Sequence, residues 1–103
     1  MTAVLLLDGK ANAVCCETVS RGSAGAVCPN LRGIIEKALL CSAKGCIIVH
    51  NHPNGSDEPS NEDIFTANRI NRIMAELEIP LYEHYIIAKG KLVRISEFGR
   101  PRG

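Results

Sequence analysis

The stretch His50-Asn51-His52, seven further residues, Ser60, two more, then Asp63 holds the residue types whose spacing can do chemistry. Side chains two apart on an extended segment leave the backbone on the same side. His50 and His52 can therefore converge on one ion where a strand runs out. Asp63 would reach the same point from the first turn of a following helix, folded back over the strand end by the loop between them. Two imidazoles and a carboxylate form an N/N/O donor set that suits zinc at roughly 2.0–2.2 Å per ligand. Three protein ligands leave a fourth position for water, the mark of a catalytic rather than a closed structural site. Zinc would lower the pKa of that water to about 7 and polarise a substrate carbonyl. Ser60 offers a hydroxyl to the developing oxyanion, and the positive end of the helix that starts there acts in the same sense. Taken singly, these features are ordinary. An isolated H-x-H is weak, and Ser60 with Asp63 is by itself a helix capping box. Their combination within fourteen positions is what favours a metal site.

The surrounding elements have to place these side chains. Residues 3–7 form an apolar run ended by Asp8-Gly9, and residues 13–20 resume with β-branched and cysteine content, which predicts a hairpin. Gly22-Ser23-Ala24-Gly25 reads as a loop. Pro29 suits the first turn of a helix, and Leu31, Ile34, Ile35, Ala38 and Leu39 follow on one helical face. Gly45 closes that region. Cys46-Ile47-Ile48-Val49 has the pattern of a strand covered on both faces, and it leads straight into His50. Residues 51–59 read as loop. Ser60 caps a second helix, amphipathic through Ile64, Ala67, Ile70, Ile73, Met74 and Leu77, which Pro80 should stop. Residues 81–88 and 91–96 look like a strand pair around Lys89-Gly90. The order is ββ-α-β-α-ββ, an α/β sandwich with a mixed sheet.

The chain of 103 residues is 46% hydrophobic and 22% charged, with a net charge of +1. That length holds one domain, and the balance is that of a folded globule with no electrostatic call for nucleic acid. No apolar run approaches the ~20 residues of a membrane span, and Val4 to Leu7 is too short for an export signal. Cys15, Cys16, Cys28, Cys41 and Cys46 contain no C-x-x-C pair, so they read as reduced, mostly buried thiols of a cytoplasmic protein. Cys15-Cys16 has no neighbouring base and reads as buried packing or hairpin surface. His84, in an alternating stretch, reads as a structural imidazole or a partner behind the metal ligands. Asn51 and Asn54 serve their turn, and Arg94 to Arg102 reads as a solvated basic tail.

His50-Asn51-His52-Pro53-Asn54-Gly55 through Pro59-Ser60 and Asp63 resembles the JAMM motif H-x-H-x7-S-x2-D of the JAB/MPN metalloproteases. The H-N-H-P-x-G form, preceded by Ala43 and Ile47-Ile48-Val49, resembles the bacterial RadC branch. Leu5-Leu6-Leu7-Asp8, Gly22, Pro29, the helix to Ala38 and Glu83-His84-Tyr85-Ile86-Ile87 also match that branch, so the resemblance covers essentially the whole chain. It implies a single RadC-like JAB/MPN domain over residues 1–103, a cytidine-deaminase-like sandwich with the mixed β-sheet packed between helices. It further implies zinc (Zn2+) held by His50, His52 and Asp63, with Ser60 supporting the oxyanion during peptide or isopeptide hydrolysis. The same resemblance puts the family's general-base glutamate just ahead of the segment matching Ala3 to Asp8, which falls before Met1. The chain is therefore expected either to be cut short at its N-terminus or to lack the base. Glu17 and Glu36 are the upstream glutamates present, and neither matches the family position; Glu17, on the second strand, is the one that could approach the metal water. The second reading is a zinc-binding module without catalysis, associated with DNA repair by family name alone. A homodimer is left open.

Overall fold

The computed structural model describes residues 2–19, 31–52, 55–56 and 58–95, with backbone alone at 17–19. The loop expected at Gly22–Gly25, the helix start expected at Pro29, Cys28, Asn54 and the basic tail past Ile95 lie outside these residues. The elements run β1 (Thr2–Leu7), β2 (Ala13–Val19), α1 (Leu31–Leu40), β3 (Gly45–His52), α2 (Asn61–Glu76), β4 (Leu81–Ala88) and β5 (Lys91–Arg94). This is the order expected from the apolar periodicities. The five strands form one mixed sheet in the order β2-β1-β3-β4-β5. All neighbours are antiparallel except β3 and β4, which are parallel and joined through α2.

Two turns are written in local chemistry. Asp8 accepts backbone N–H bonds from Lys10 and Asn12 at 2.8 and 2.9 Å, which folds the β1–β2 connection. Lys89 and Gly90 both have positive φ, 50° and 75°, as a two-residue hairpin turn requires.

Register decides which side chains meet. Val4 lies opposite Ile48, and Leu6 opposite Cys46. Cross-strand partners share a face, so these four point the same way and pack with Ile34 and Ala38 of α1 and Ala67, Ile70 and Met74 of α2 in one cluster. Full burial of such side chains contributes about 1.5–3 kcal/mol each. The α/β class and the mixed sheet stand as read from the sequence, with both described helices on this one face. On the opposite face Ala3, Leu5, Ile47, Val49 and Tyr85 are half-buried and Ile87 is exposed. The apolar run of β3 is accordingly covered fully on one side only: Cys46 and Ile48 are buried, Ile47 and Val49 are not.

Four expectations need correcting. Leu39 is 60% exposed, because Ile34 and Ala38 set the inward direction of α1 and Leu39 stands about 100° further round. Of the described cysteines only Cys46 is buried; Cys15 and Cys41 are half-buried, and Cys16 is exposed on edge strand β2. β3 continues through His52, so the loop begins later than its composition suggests. Finally, neither helix is stopped by the residue the sequence nominated. In α1, Ala43 N–H donates to Ala38 O and Ser42 N–H to Leu39 O; in α2, Ile79 N–H donates to Met74 O and Glu78 N–H to Ala75 O. Both are paired six-to-one and five-to-two closures, with Ser42 (φ 52°) and Glu78 (φ 60°) in the left-handed region that glycine prefers. Glu78→Gly is therefore expected to raise the stability of the domain by about 0.5–1 kcal/mol, read from urea unfolding. An unchanged or lowered midpoint would count against this strain.

Candidate functional site

The site stands where β1 begins, β3 ends and α2 starts. β1 runs antiparallel to β3 with Thr2 opposite His50. His50 and His52, two apart on β3, lie on the helix-covered face. Ser60 is the N-cap of α2: its Oγ accepts from Asp63 N–H at 3.0 Å, and its own N–H donates to Asp63 Oδ2 at 3.0 Å. This capping box fixes the carboxylate over the end of β3, where the positive end of the helix favours its charge.

Asp63 meets both imidazoles. Its Oδ2 lies 2.6 Å from His52 Nε2 and its Oδ1 3.5 Å from His50 Nδ1. The three residues nominated from spacing are thus brought together, but pairwise through the carboxylate. Among the described residues, no group of three His, Cys, Asp or Glu stands as a ready ligand shell. Donor atoms on a tetrahedral zinc are about 3.3 Å apart. The His52–Asp63 separation is that of a hydrogen bond, and the 3.5 Å from Asp63 runs to His50 Nδ1, the nitrogen that faces Thr2 Oγ1.

The protonation of His52 decides what this pair can hold. Its Nδ1 faces the Ser56 carbonyl oxygen at 2.9 Å. A carbonyl only accepts, so Nδ1 carries the proton and Nε2 of the neutral ring presents a lone pair. That lone pair points at an ionised carboxylate oxygen 2.6 Å away. Two acceptors face each other, and the gap calls for a shared cation, either a proton or a metal ion. A ring N–H tied to a carbonyl behind the ligand nitrogen is also how metal-binding histidines are oriented. In donor type these residues fit zinc, and the Ser56 contact of His52 leaves its Nε2 as the nitrogen turned toward Asp63.

His50 is 1% exposed. Its Nδ1 is 2.8 Å from Thr2 Oγ1, and its Nε2 is buried without a hydrogen-bond partner among the described residues. A buried N–H left unpaired is rarer than an unpaired lone pair. The proton therefore belongs on Nδ1, which donates to Thr2 Oγ1, and Nε2 is an unengaged acceptor. Burial pushes the His50 imidazole down to about 4, against the opposing pull of Asp63. Burial works to raise the Asp63 carboxyl, but the Ser60 N–H and the two histidines outweigh it and hold it below the ordinary range. His84 packs edge-on against His50 with ring centroids 4.7 Å apart; burial lowers it as well, opposed by Asp63.

Thr2 escaped the sequence reading, because nothing local links it to a residue 48 positions away; only the β1–β3 register does. Thr2→Val is expected to cost about 1 kcal/mol and to shift the ring-nitrogen resonances of His50 toward the other tautomer, while Thr2→Ser keeps both. Identical His50 spectra in all three proteins would remove Thr2 from this role. His84 packs on His50, one of the nominated ligands. Ser60 is engaged with Asp63 N–H through a lone pair, which leaves its O–H as a donor. Glu17 sits on β2 opposite Val4, with β1 between it and β3; its side chain lies outside the described residues. Glu36 is exposed on α1.

Comparison with known proteins decides the family. The model of the RadC-like JAB domain matches residues 1–99. The chain belongs to the RadC-like JAB domain family. A UPF0758 protein of Actinobacillus succinogenes is 39% identical over 95 residues, covering 92% of this chain and 43% of that relative. UPF0758 proteins of Xanthomonas oryzae pv. oryzae and Stenotrophomonas maltophilia are 33% and 30% identical over 97 and 95 residues, covering 94% and 92% of this chain and 43% and 41% of the relatives. This RadC-like JAB domain thus spans less than half the length of the curated relatives it matches. Among its described residues no helix is long and apolar enough to cross a membrane.

Proposed function

We propose that this RadC-like JAB domain is a zinc-dependent hydrolase that cleaves an amide bond in a peptide or isopeptide. The observation that supports it most is His52 Nε2 set 2.6 Å from the Asp63 carboxylate, with the opposite ring nitrogen tied to a carbonyl. His52, His50 and Asp63 would hold the ion. Zinc, when bound, supplies a Lewis acid that acidifies water near neutral pH and polarises the scissile carbonyl. The residues of the chain contribute the rest. Ser60 directs its O–H to the oxygen where negative charge develops, and the α2 N-terminus adds partial positive charge there. The Ser56 carbonyl and Thr2 keep both imidazoles in one tautomer. The family resemblance places a general-base glutamate just upstream of Ala3, and β1 begins beside His50, so a carboxylate at that position would stand next to the ion. General-base help is worth about 10²–10⁴ in rate.

A zinc-binding module without hydrolysis is the second reading. It is favoured by one observation: neither Glu17 nor Glu36 stands on β3 or α2, the elements that carry the site. Zinc-loaded protein, with and without an upstream extension carrying the family glutamate, is incubated with a peptide and isopeptide library and analysed by mass spectrometry. Cleavage that requires both zinc and the glutamate supports the hydrolase; zinc uptake with no cleavage in either form supports the module. An association with DNA rests on the family name, and a net charge of +1 predicts weak, salt-sensitive binding.

A further inference from the structure

Beside the site, between α2 and β4, runs a groove of about 270 Å³ that the proposed chemistry does not use. Ala67, Leu81 and Ile95 give it an apolar lining, and Asn68, Asn71 and His84 contribute polar groups. Asn68 and Asn71 are three apart on α2 and so share a helix face. Their carboxamides bond no other described residue, although asparagine is a poor residue for a helix interior. His84 is 6% exposed, and its Nε2 is buried without a hydrogen-bond partner among the described residues. Asn68 is exposed and Asn71 half-buried, so their carboxamides are open to solvent or to a ligand. Among the described residues no lysine or arginine lines the groove to attract phosphate. Its one carboxylate, Glu83, is 3.8 Å from Arg94. A carboxamide presents one donor group and one acceptor, which is the complement of a peptide group.

We propose that this groove binds an uncharged stretch of peptide main chain through Asn68 and Asn71. His84 lines the groove and packs on His50, so a chain lying there has its next residues beside the candidate metal site. The groove is then a substrate subsite of the hydrolase, and that last step rests on the reading above; the binding itself does not.

The test is a ¹⁵N NMR titration of the full chain with acetyl-Ala-Ala-Ala-amide, in chelator and again with zinc. Saturable shifts are expected at the Asn68 and Asn71 side-chain amides and along β4 up to His84, in both conditions. The variant Asn68→Ala/Asn71→Ala should bind at least about tenfold more weakly, the loss expected for two neutral hydrogen bonds, with its zinc affinity unchanged. Shifts located elsewhere, equal binding by the variant, or tighter binding of inorganic phosphate at the same residues would overturn the proposal. Peptide binding by a protein that takes up no zinc would sink the hydrolase reading and leave the groove standing.

Discussion

Asp63→Ala is expected to abolish the stabilisation that zinc gives this domain and to weaken the metal-free protein as well. Asp63 does two jobs through one carboxylate: it accepts the Ser60 N–H at the start of α2 and faces both imidazoles. Loss of the capping box costs about 1 kcal/mol. Loss of a carboxylate ligand should lower zinc affinity by well over the ~10–100-fold typical of changes behind the ligands. At free zinc about 100 times Kd, the wild type gains about 2.7 kcal/mol, and the variant should gain nothing measurable. Ser60→Ala separates the two effects: it should lose the cap and keep the zinc-dependent gain. Denaturant unfolding of the three proteins with and without zinc reads all six states. A zinc-dependent gain retained by Asp63→Ala would remove that residue from the ligand set.

The second large effect concerns acid. In chelator, the domain is expected to lose about 3 kcal/mol of stability between pH 7 and pH 4 through His50. Burial holds the folded imidazole near 4, whereas the unfolded chain takes up its proton near 6.5. Below 6.5 the unfolded state binds more protons, so stability falls through that window and the loss levels off near the folded value. His84, lowered by burial too, adds in the same direction. Asp63, held below its ordinary value, loses its contribution only at lower pH still, as pH falls below about 3.8. Urea unfolding at successive pH values measures the slope, and His50→Gln should flatten it. An equal slope in both proteins would show that His50 is not buried in its neutral form.

Which features were legible in the sequence follows from how far apart their determinants lie. The capping box of Ser60 and Asp63 is a spacing of three, and it forms as read. The strand leading into His50 is a run of adjacent apolar residues, and it too forms. The Thr2–His50 bond and the contact of His84 with His50 depend on the register of three strands; no periodicity within one segment encodes them. The outward turn of Leu39 and Leu40 has a similar origin, because helical spacing gives a stripe and the sheet decides which edge of it is buried. The helix ends were misread for another reason: Gly45 and Pro80 are strong punctuation, but the hydrogen-bond closures at Ser42 and Glu78 come three and two residues earlier and accept a strained residue type.

Isothermal titration of the chelator-stripped protein with zinc, at pH 7 and beside His52→Ala, tests the central claim most directly. One equivalent of zinc bound by the wild type, with the signal lost in the variant, is the predicted result. No saturable uptake by the wild type, or equal uptake by both proteins, would contradict a metal site built from His50, His52 and Asp63.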